Sequence, residues 1–214
     1  MIITVFGATD KVGKYIVRMA LASGYKVRAF GRNMEGLIDE DLRNENFTAF
    51  KGYVFSSGDV FDAIKGCDAV LSALGGATDG TDKTRSLGMK NIITQMEKAG
   101  VTRIIAVGNS GVLEDDDFGY ILNNPKYPAL YKDVAMEHLK AYEYLKTSEL
   151  EWTFVCCPAD IKDKDATGKY ITNADYLPYP YLFTVTAGNV ASFMLDELKN
   201  NKYVKKRVGI SDVN

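Results

Sequence analysis

Apolar and helix-period stretches alternate along this chain from its first residues. Apolar, β-branched runs stand at 2–6 (IITVF), 25–30 (YKVRAF), 47–50 (FTAF), 68–74 (DAVLSAL), 103–108 (RIIAVG) and 152–156 (WTFVC). Between them, apolar residues recur with helical period over about 11 to 23, from about 57, near 83 to 99 and near 129 to 147. The alternation predicts successive βαβ units. Strands apolar along their whole length are buried on both faces, so the sheet is expected to be parallel, with helices on both sides: a doubly wound α/β fold. Ligands in such a fold bind beyond the carboxyl ends of the strands.

After residue 158 the pattern changes. The stretch GKYITNADYLPYPYLFTV is rich in Tyr and Pro and too irregular for another βαβ unit; a helix (GNVASFMLDELKNN) and a short strand (RVGIS) follow it. Residues 158–186 are therefore expected to form a small irregular C-terminal lobe over the strand ends, roofing a substrate cleft, within a single domain spanning 1–214.

The length of 214 residues suits one core that needs neither disulfides nor a structural metal. A net charge of −2 with scattered Lys and Arg offers no basic stripe, which argues against nucleic acid as a partner. Cys67, Cys156 and Cys157 have no metal-ligand spacing and read as reduced core thiols. The first strand leaves no room for a leader, and no apolar run approaches the ~20 residues of a membrane span, so a cytoplasmic location without membrane attachment is expected.

The segment TVFGATDKVGKYIV at 4–17 is a strand, a glycine turn and a helix. That is the context of the dinucleotide fingerprint, in which one glycine makes the turn, a second lets backbone approach the pyrophosphate and a third lets helix and strand pack. Gly7 and Gly13 fill the first and third places, and Asp10 stands in the second. Its carboxylate is expected to cap the helix beginning near Lys11. A like charge at ~5 Å from a pyrophosphate costs about 3 kcal/mol at an effective dielectric of ~20. Lys11 and Lys14 offset part of that, so dinucleotide binding is expected to be weakened rather than abolished. The acidic run EDDD at 114–117 lacks the spaced ligands of a calcium loop and reads as a solvated loop; no metal site is expected.

With FGATDKVG at 6–13, GCDAVLSALGG at 66–76, GMKNIITQMEKAGVTRIIAVGNS at 88–110 and LKTSELEWTFVCCPADI at 145–161, the chain resembles the atypical short-chain dehydrogenase/reductases over nearly its whole length. The resemblance is to the NAD(P)H-binding Rossmann proteins of the biliverdin reductase B (flavin reductase) and NmrA-like kinds. It implies a phosphate loop at Gly7, Thr9, Lys11, Val12 and Gly13, with Leu74, Gly75 and Gly76 passing the nicotinamide ribose. Arg32 stands where an NAD enzyme places an acid for the ribose diol, and a guanidinium there suits a 2′-phosphate, so NADP(H) is expected over NAD(H). Where the family has Gly-Asp after the third strand, this sequence has Gly52-Tyr53; Tyr53 either stacks on the adenine or fills its pocket.

Ser110 matches the family's catalytic serine, or else caps a turn. The usual Tyr/Lys dyad falls on Val134 and His138 and is missing, whereas Tyr142 and Lys146 have the right spacing at the wrong end of their helix. His138, the single histidine, is a candidate proton carrier or a buried core residue. Tyr131 is a second candidate donor, and Asp160 lies where related flavin reductases place one. The expected function is NADPH-dependent reduction of a small conjugated acceptor such as a flavin or quinone; the alternative is a non-catalytic NmrA-like module that senses dinucleotide or binds a partner.

Overall fold

The computed structural model describes residues 1–33 and 44–213. Its centre is an eight-stranded sheet in the order β10-β12-β8-β5-β4-β1-β2-β3. β1 (Ile2–Phe6), β2 (Lys26–Gly31), β3 (Phe47–Lys51), β4 (Ala69–Ser72), β5 (Arg103–Asn109), β8 (Glu151–Cys157) and β12 (Lys206–Asp212) run parallel. Val5 pairs with Ala29 on one side and Leu71 on the other, and Ile3, Val5, Leu71, Ile104 and Ile105 have no exposed surface. Each such side chain stabilises the fold by about 1.5–3 kcal/mol relative to exposure.

Two helical layers complete the domain. α1 (Gly13–Ala22) and α5 (Ala187–Asn200) share one core through Ile16, Val17, Ala20, Val190, Ala191 and Met194. α2 (Ser57–Ile64), α3 (Thr84–Ala99) and α4 (Ala129–Thr147) cover the opposite face around Phe6, Ile92, Met96, Leu145 and Phe154. Because β1 lies between β2 and β4, the chain's crossovers reverse direction there, opening a crevice beyond the ends of β1 and β4. Among the described residues no helix is long and apolar enough to cross a membrane.

The stretch expected to be wholly a lobe divides. β10 (Tyr170–Ala174) joins the central sheet antiparallel to β12, with Thr172 opposite Ile210, and so closes an edge left open by the parallel strands. β9 (Asp160–Lys162) and β11 (Thr184–Thr186) pair as a separate two-stranded ribbon, and residues 175–183 lie between β10 and β11. The acidic run forms a hairpin from β6 (Glu114–Asp115) and β7 (Gly119–Tyr120), where Glu114 pairs with Arg207 and Asp115 accepts from the Asp117 and Phe118 N–H groups. The three cysteines are free and buried.

Buried charge ties β5 to α5. Arg103 and Glu197, 8% and 1% exposed, pair at 2.9 Å; Glu197 also accepts from the Thr153 hydroxyl and the Lys202 and Tyr203 N–H groups. Such a pair is tolerable only with its remaining bonds satisfied.

Candidate functional site

Gly7 ends β1 with φ +72°, and a Cβ there would collide with the Ala73 carbonyl. A Cβ on Gly13 would collide with the Gly7 carbonyl, so these two positions require glycine for the turn and for close helix–strand approach. α1 starts at Gly13 with Val12 in the cap position and no side chain capping it. In its first turn, Lys14 N–H donates to the Asp10 carbonyl and Tyr15 N–H to the Val12 carbonyl, both at 3.1 Å.

The expectation that Asp10 caps this helix is corrected here. The helix begins too far along the chain for Asp10 to reach its N–H groups, and only the Asp10 carbonyl enters the turn, accepting from Lys14 N–H at 3.1 Å. The side chain crosses the crevice to the Gly75 N–H. It lies so close that a Cβ on Gly75 would strike its Oδ2. Asp10 is exposed as a residue, yet its inward-turned carboxyl loses water. That desolvation raises its pKa above the usual carboxylate value, opposed by the Gly75 N–H and by the charges of Arg85, Lys11 and Arg32.

Two cavities of about 400 Å³ flank Asp10 and Gly75, which line both. The one toward β2 and β3 is lined by Gly7, Thr9, Arg32, Tyr53, Leu74 and Gly76. Arg32 is exposed at its rim, and Tyr53 is 49% exposed with its ring edge-on to Phe55 at 5.2 Å. The cavity toward β5 is lined by Lys11, Val12, Leu74, Tyr131, Val134 and His138, among others. A third, of about 480 Å³, lies outside it and shares Tyr131 and Ala159 with it; Ser110, Asp160 and Tyr181 face this outer cavity.

His138 packs edge-on to Phe154 at 6.3 Å. Burial, reinforced by Arg85 and countered by Glu137, pushes its pKa down to about 3, so the imidazole is neutral near pH 7 and has no imidazolium proton to give there. Tyr131, the second candidate donor, and Val134 join it at the crevice. Tyr142 instead is buried in the core against Trp152 and Arg207, its pKa pushed up to about 12 by that burial. Ser110 opens a short 3-10 turn, but the turn is capped by Asn109, whose Oδ1 accepts from Gly111 N–H at 2.8 Å. Asp160 pairs with Lys162 at 3.0 Å.

The lysines expected to balance Asp10 are engaged elsewhere. Lys11 Nζ donates to the Ile161 carbonyl at 2.8 Å, and Lys14 pairs with Asp163 at 2.7 Å, where Tyr15 also donates at 3.1 Å. Residues 160–168 thus form a strap fastened to the phosphate loop. Its other end is held by Asn189, fully buried, whose Oδ1 accepts from the Thr167 and Gly168 N–H groups.

Arg85 is the crevice residue that sequence reasoning missed. It is 8% exposed and donates to the Gly76 and Ala77 carbonyls, both at 2.9 Å, which fixes the loop after β4 and places a cation near Asp10. Nothing in a helix-start arginine signals this, because it depends on that loop folding back over α3.

The sheet order, the crevice at its switch point and the glycine cradle define a dinucleotide-binding Rossmann protein. The chain belongs to the NAD(P)H-binding family, whose sequence profile matches residues 7–201, and it is an atypical short-chain dehydrogenase/reductase in its fold. It is 28% identical to YwnB of Bacillus subtilis over 97% of this chain and 96% of that one. A protein described as a "putative NADH-flavin reductase" from Streptococcus pneumoniae has a similar structure, with a TM-score of 0.82 and 25% identity over the whole of both chains. A "putative epimerase" from Bacteroides thetaiotaomicron superposes with a TM-score of 0.85 and 27% identity, covering 100% of this chain and 97% of that one. The cradle, which a Cβ on Gly7 or Gly13 would fill, fits a nicotinamide dinucleotide.

Proposed function

We propose that the chain is an NADPH-dependent reductase of a small conjugated acceptor of flavin or quinone type. What supports this reading above all is the end-to-end order of the three cavities: Gly7, Arg32 and Tyr53 at one end, Asp10, Gly75 and His138 in the middle, and Ser110 and Tyr181 around the outer cavity. When bound, the reduced nicotinamide supplies the hydride. The backbone from Gly7 to Gly13, with Thr9, would hold the pyrophosphate, Tyr53 would stack on the adenine, and Leu74, Gly75 and Gly76 would pass the nicotinamide ribose. Ser110 and Tyr131 orient the acceptor, and His138 serves as a neutral wall. Orientation is the main task, so the missing Tyr/Lys dyad is no obstacle.

Arg32 carries the cofactor preference, since a guanidinium at the end of β2 suits a 2′-phosphate. Titration of NADPH and NADH should show tighter NADPH binding, and Arg32→Ala should remove most of the difference; equal affinities in the wild type would refute the assignment. The Asp10 carboxylate in the crevice favours one other reading, a non-catalytic module that senses dinucleotide. Saturable NADPH binding with no turnover across a panel of quinones and flavins would select it.

A further inference from the structure

Two hydroxyl groups meet in the outer cavity from distant parts of the chain. Ser110 follows β5, whereas Tyr181 belongs to the Tyr- and Pro-rich cover, pinned to β12 by the bond from Leu182 N–H to Ser211 Oγ at 3.0 Å. The Ser110 hydroxyl is within hydrogen-bonding reach of the Tyr181 phenol. A phenol both donates and accepts, so a ligand oxygen can take its O–H while Ser110 donates to its oxygen. Tyr127, also in this cavity, differs: its hydroxyl donates to Asn109 Oδ1 at 3.0 Å.

The rest of the lining is apolar or charge-balanced. Ile121, Leu177, Tyr131 and Phe183 supply flat and aliphatic walls. Among the described residues, Lys126 is the one cation lining the cavity and Asp160 the one anion. A phosphate carrying nearly two negative charges is recognised by clustered Arg or Lys donors, which this cavity does not offer. An uncharged ring with a carbonyl oxygen meets what it does offer: aromatic walls and a phenol O–H.

We infer that the outer cavity takes an uncharged aromatic carbonyl compound of quinone type, held through one carbonyl oxygen by Tyr181 with Ser110 behind it, and that Tyr181 selects this acceptor over a phosphorylated flavin. The inference rests on the reductase reading above and narrows its substrate class. The quinone gains a hydride, with its two electrons, and one proton, becoming the hydroquinone; the reduced nicotinamide, in giving up the hydride, is left oxidised. The proton comes from water. Burial pushes the Tyr181 phenol up to about 12, so it holds its own proton and acts as a positioning donor.

The probes are 2-methyl-1,4-naphthoquinone and FMN, each with NADPH, on wild type and Tyr181→Phe. The quinone should show a KM at least about tenfold below that of FMN. Tyr181→Phe should raise the quinone KM about three- to tenfold, the loss of one neutral hydrogen bond, with NADPH affinity and melting temperature unchanged. Quinone binding, followed by quenching of intrinsic fluorescence, needs no turnover and should weaken in the variant by the same factor. A preference for FMN overturns the inference while the reductase reading stands. Quinone binding that is absent, or indifferent to Tyr181→Phe, also overturns it. Tyr181-dependent quinone binding with no reduction of either acceptor upholds the inference about the cavity and refutes the reductase reading.

Discussion

Removing the Asp10 charge should strengthen dinucleotide binding. The carboxylate lies in the crevice against the Gly75 N–H, beside the cradle that suits the pyrophosphate. One like-charge pair at ~5 Å costs about 3 kcal/mol at an effective dielectric of ~20. Arg85, Lys11 and Arg32 act on the same carboxyl and reduce the net cost. The gain expected for Asp10→Gly is therefore about 1–3 kcal/mol, near ten- to a hundredfold in NADPH affinity. Asp10→Asn keeps the shape and an oxygen for the Gly75 N–H, so it should recover most of the gain if charge is the cause. Neither change removes a helix cap, since Asp10 provides none. The pKa is raised in the folded protein, so the folded state holds this proton more tightly than the unfolded one. The associated stabilisation is present below the unfolded value and is lost as pH rises through the folded one. Wild-type NADPH affinity should accordingly rise as the pH falls through that pKa, and the dependence should vanish in Asp10→Asn. Calorimetric titration of the three proteins against pH, with the NADPH-induced rise in melting temperature as a second readout, is the assay. If both variants bind no more tightly than wild type, the electrostatic account of Asp10 is wrong.

Two further outcomes follow from the buried groups. His138, pushed down to about 3, is neutral in the folded protein at pH values where an unfolded histidine is charged. The stability it contributes is complete above the unfolded value of ~6.5 and is lost as the pH falls toward about 3, so His138→Gln should flatten the acid limb of a denaturation series over that window; an imidazole resonance titrating between pH 6 and 7 in the native protein would contradict this. Glu197→Ala leaves Arg103 buried without its partner and should cost about 3–5 kcal/mol in chemical denaturation, much of it recovered by Arg103→Met with Glu197→Leu; a loss under ~1 kcal/mol would show the pair to be solvated.

The strands on either side of the switch point were legible because β1, β4, β5 and β8 are buried on both faces and their sequences show little else than apolar residues. β10 was not: its side chains are mostly half-buried at a sheet edge, and an edge strand with Asn173 and Thr172 in its middle carries little periodic signal. Gly7 and Gly13 were readable because their roles depend on local backbone. The role of Asp10 was misread because capping depends on the residue at which the helix starts, and α1 starts at Gly13 rather than near Lys11. Lys11 and Lys14 were assigned to the phosphates by proximity in sequence, yet both reach across to residues about 150 positions away. No local pattern encodes such a contact.

The strap from Asp160 to Gly168 bears on how the molecule can be rebuilt. A loop transplanted from a relative to change the acceptor would arrive without Asp163 and would strand the Lys14 ammonium and the Tyr15 phenol at the mouth of the cofactor cradle. A chimera that swaps the roof should therefore be judged first by its NADPH affinity, not by its turnover. Keeping Asp163 together with the Thr167–Asn189 junction marks the natural cut points, with the segment from 175 to 183 exchangeable between them and β11.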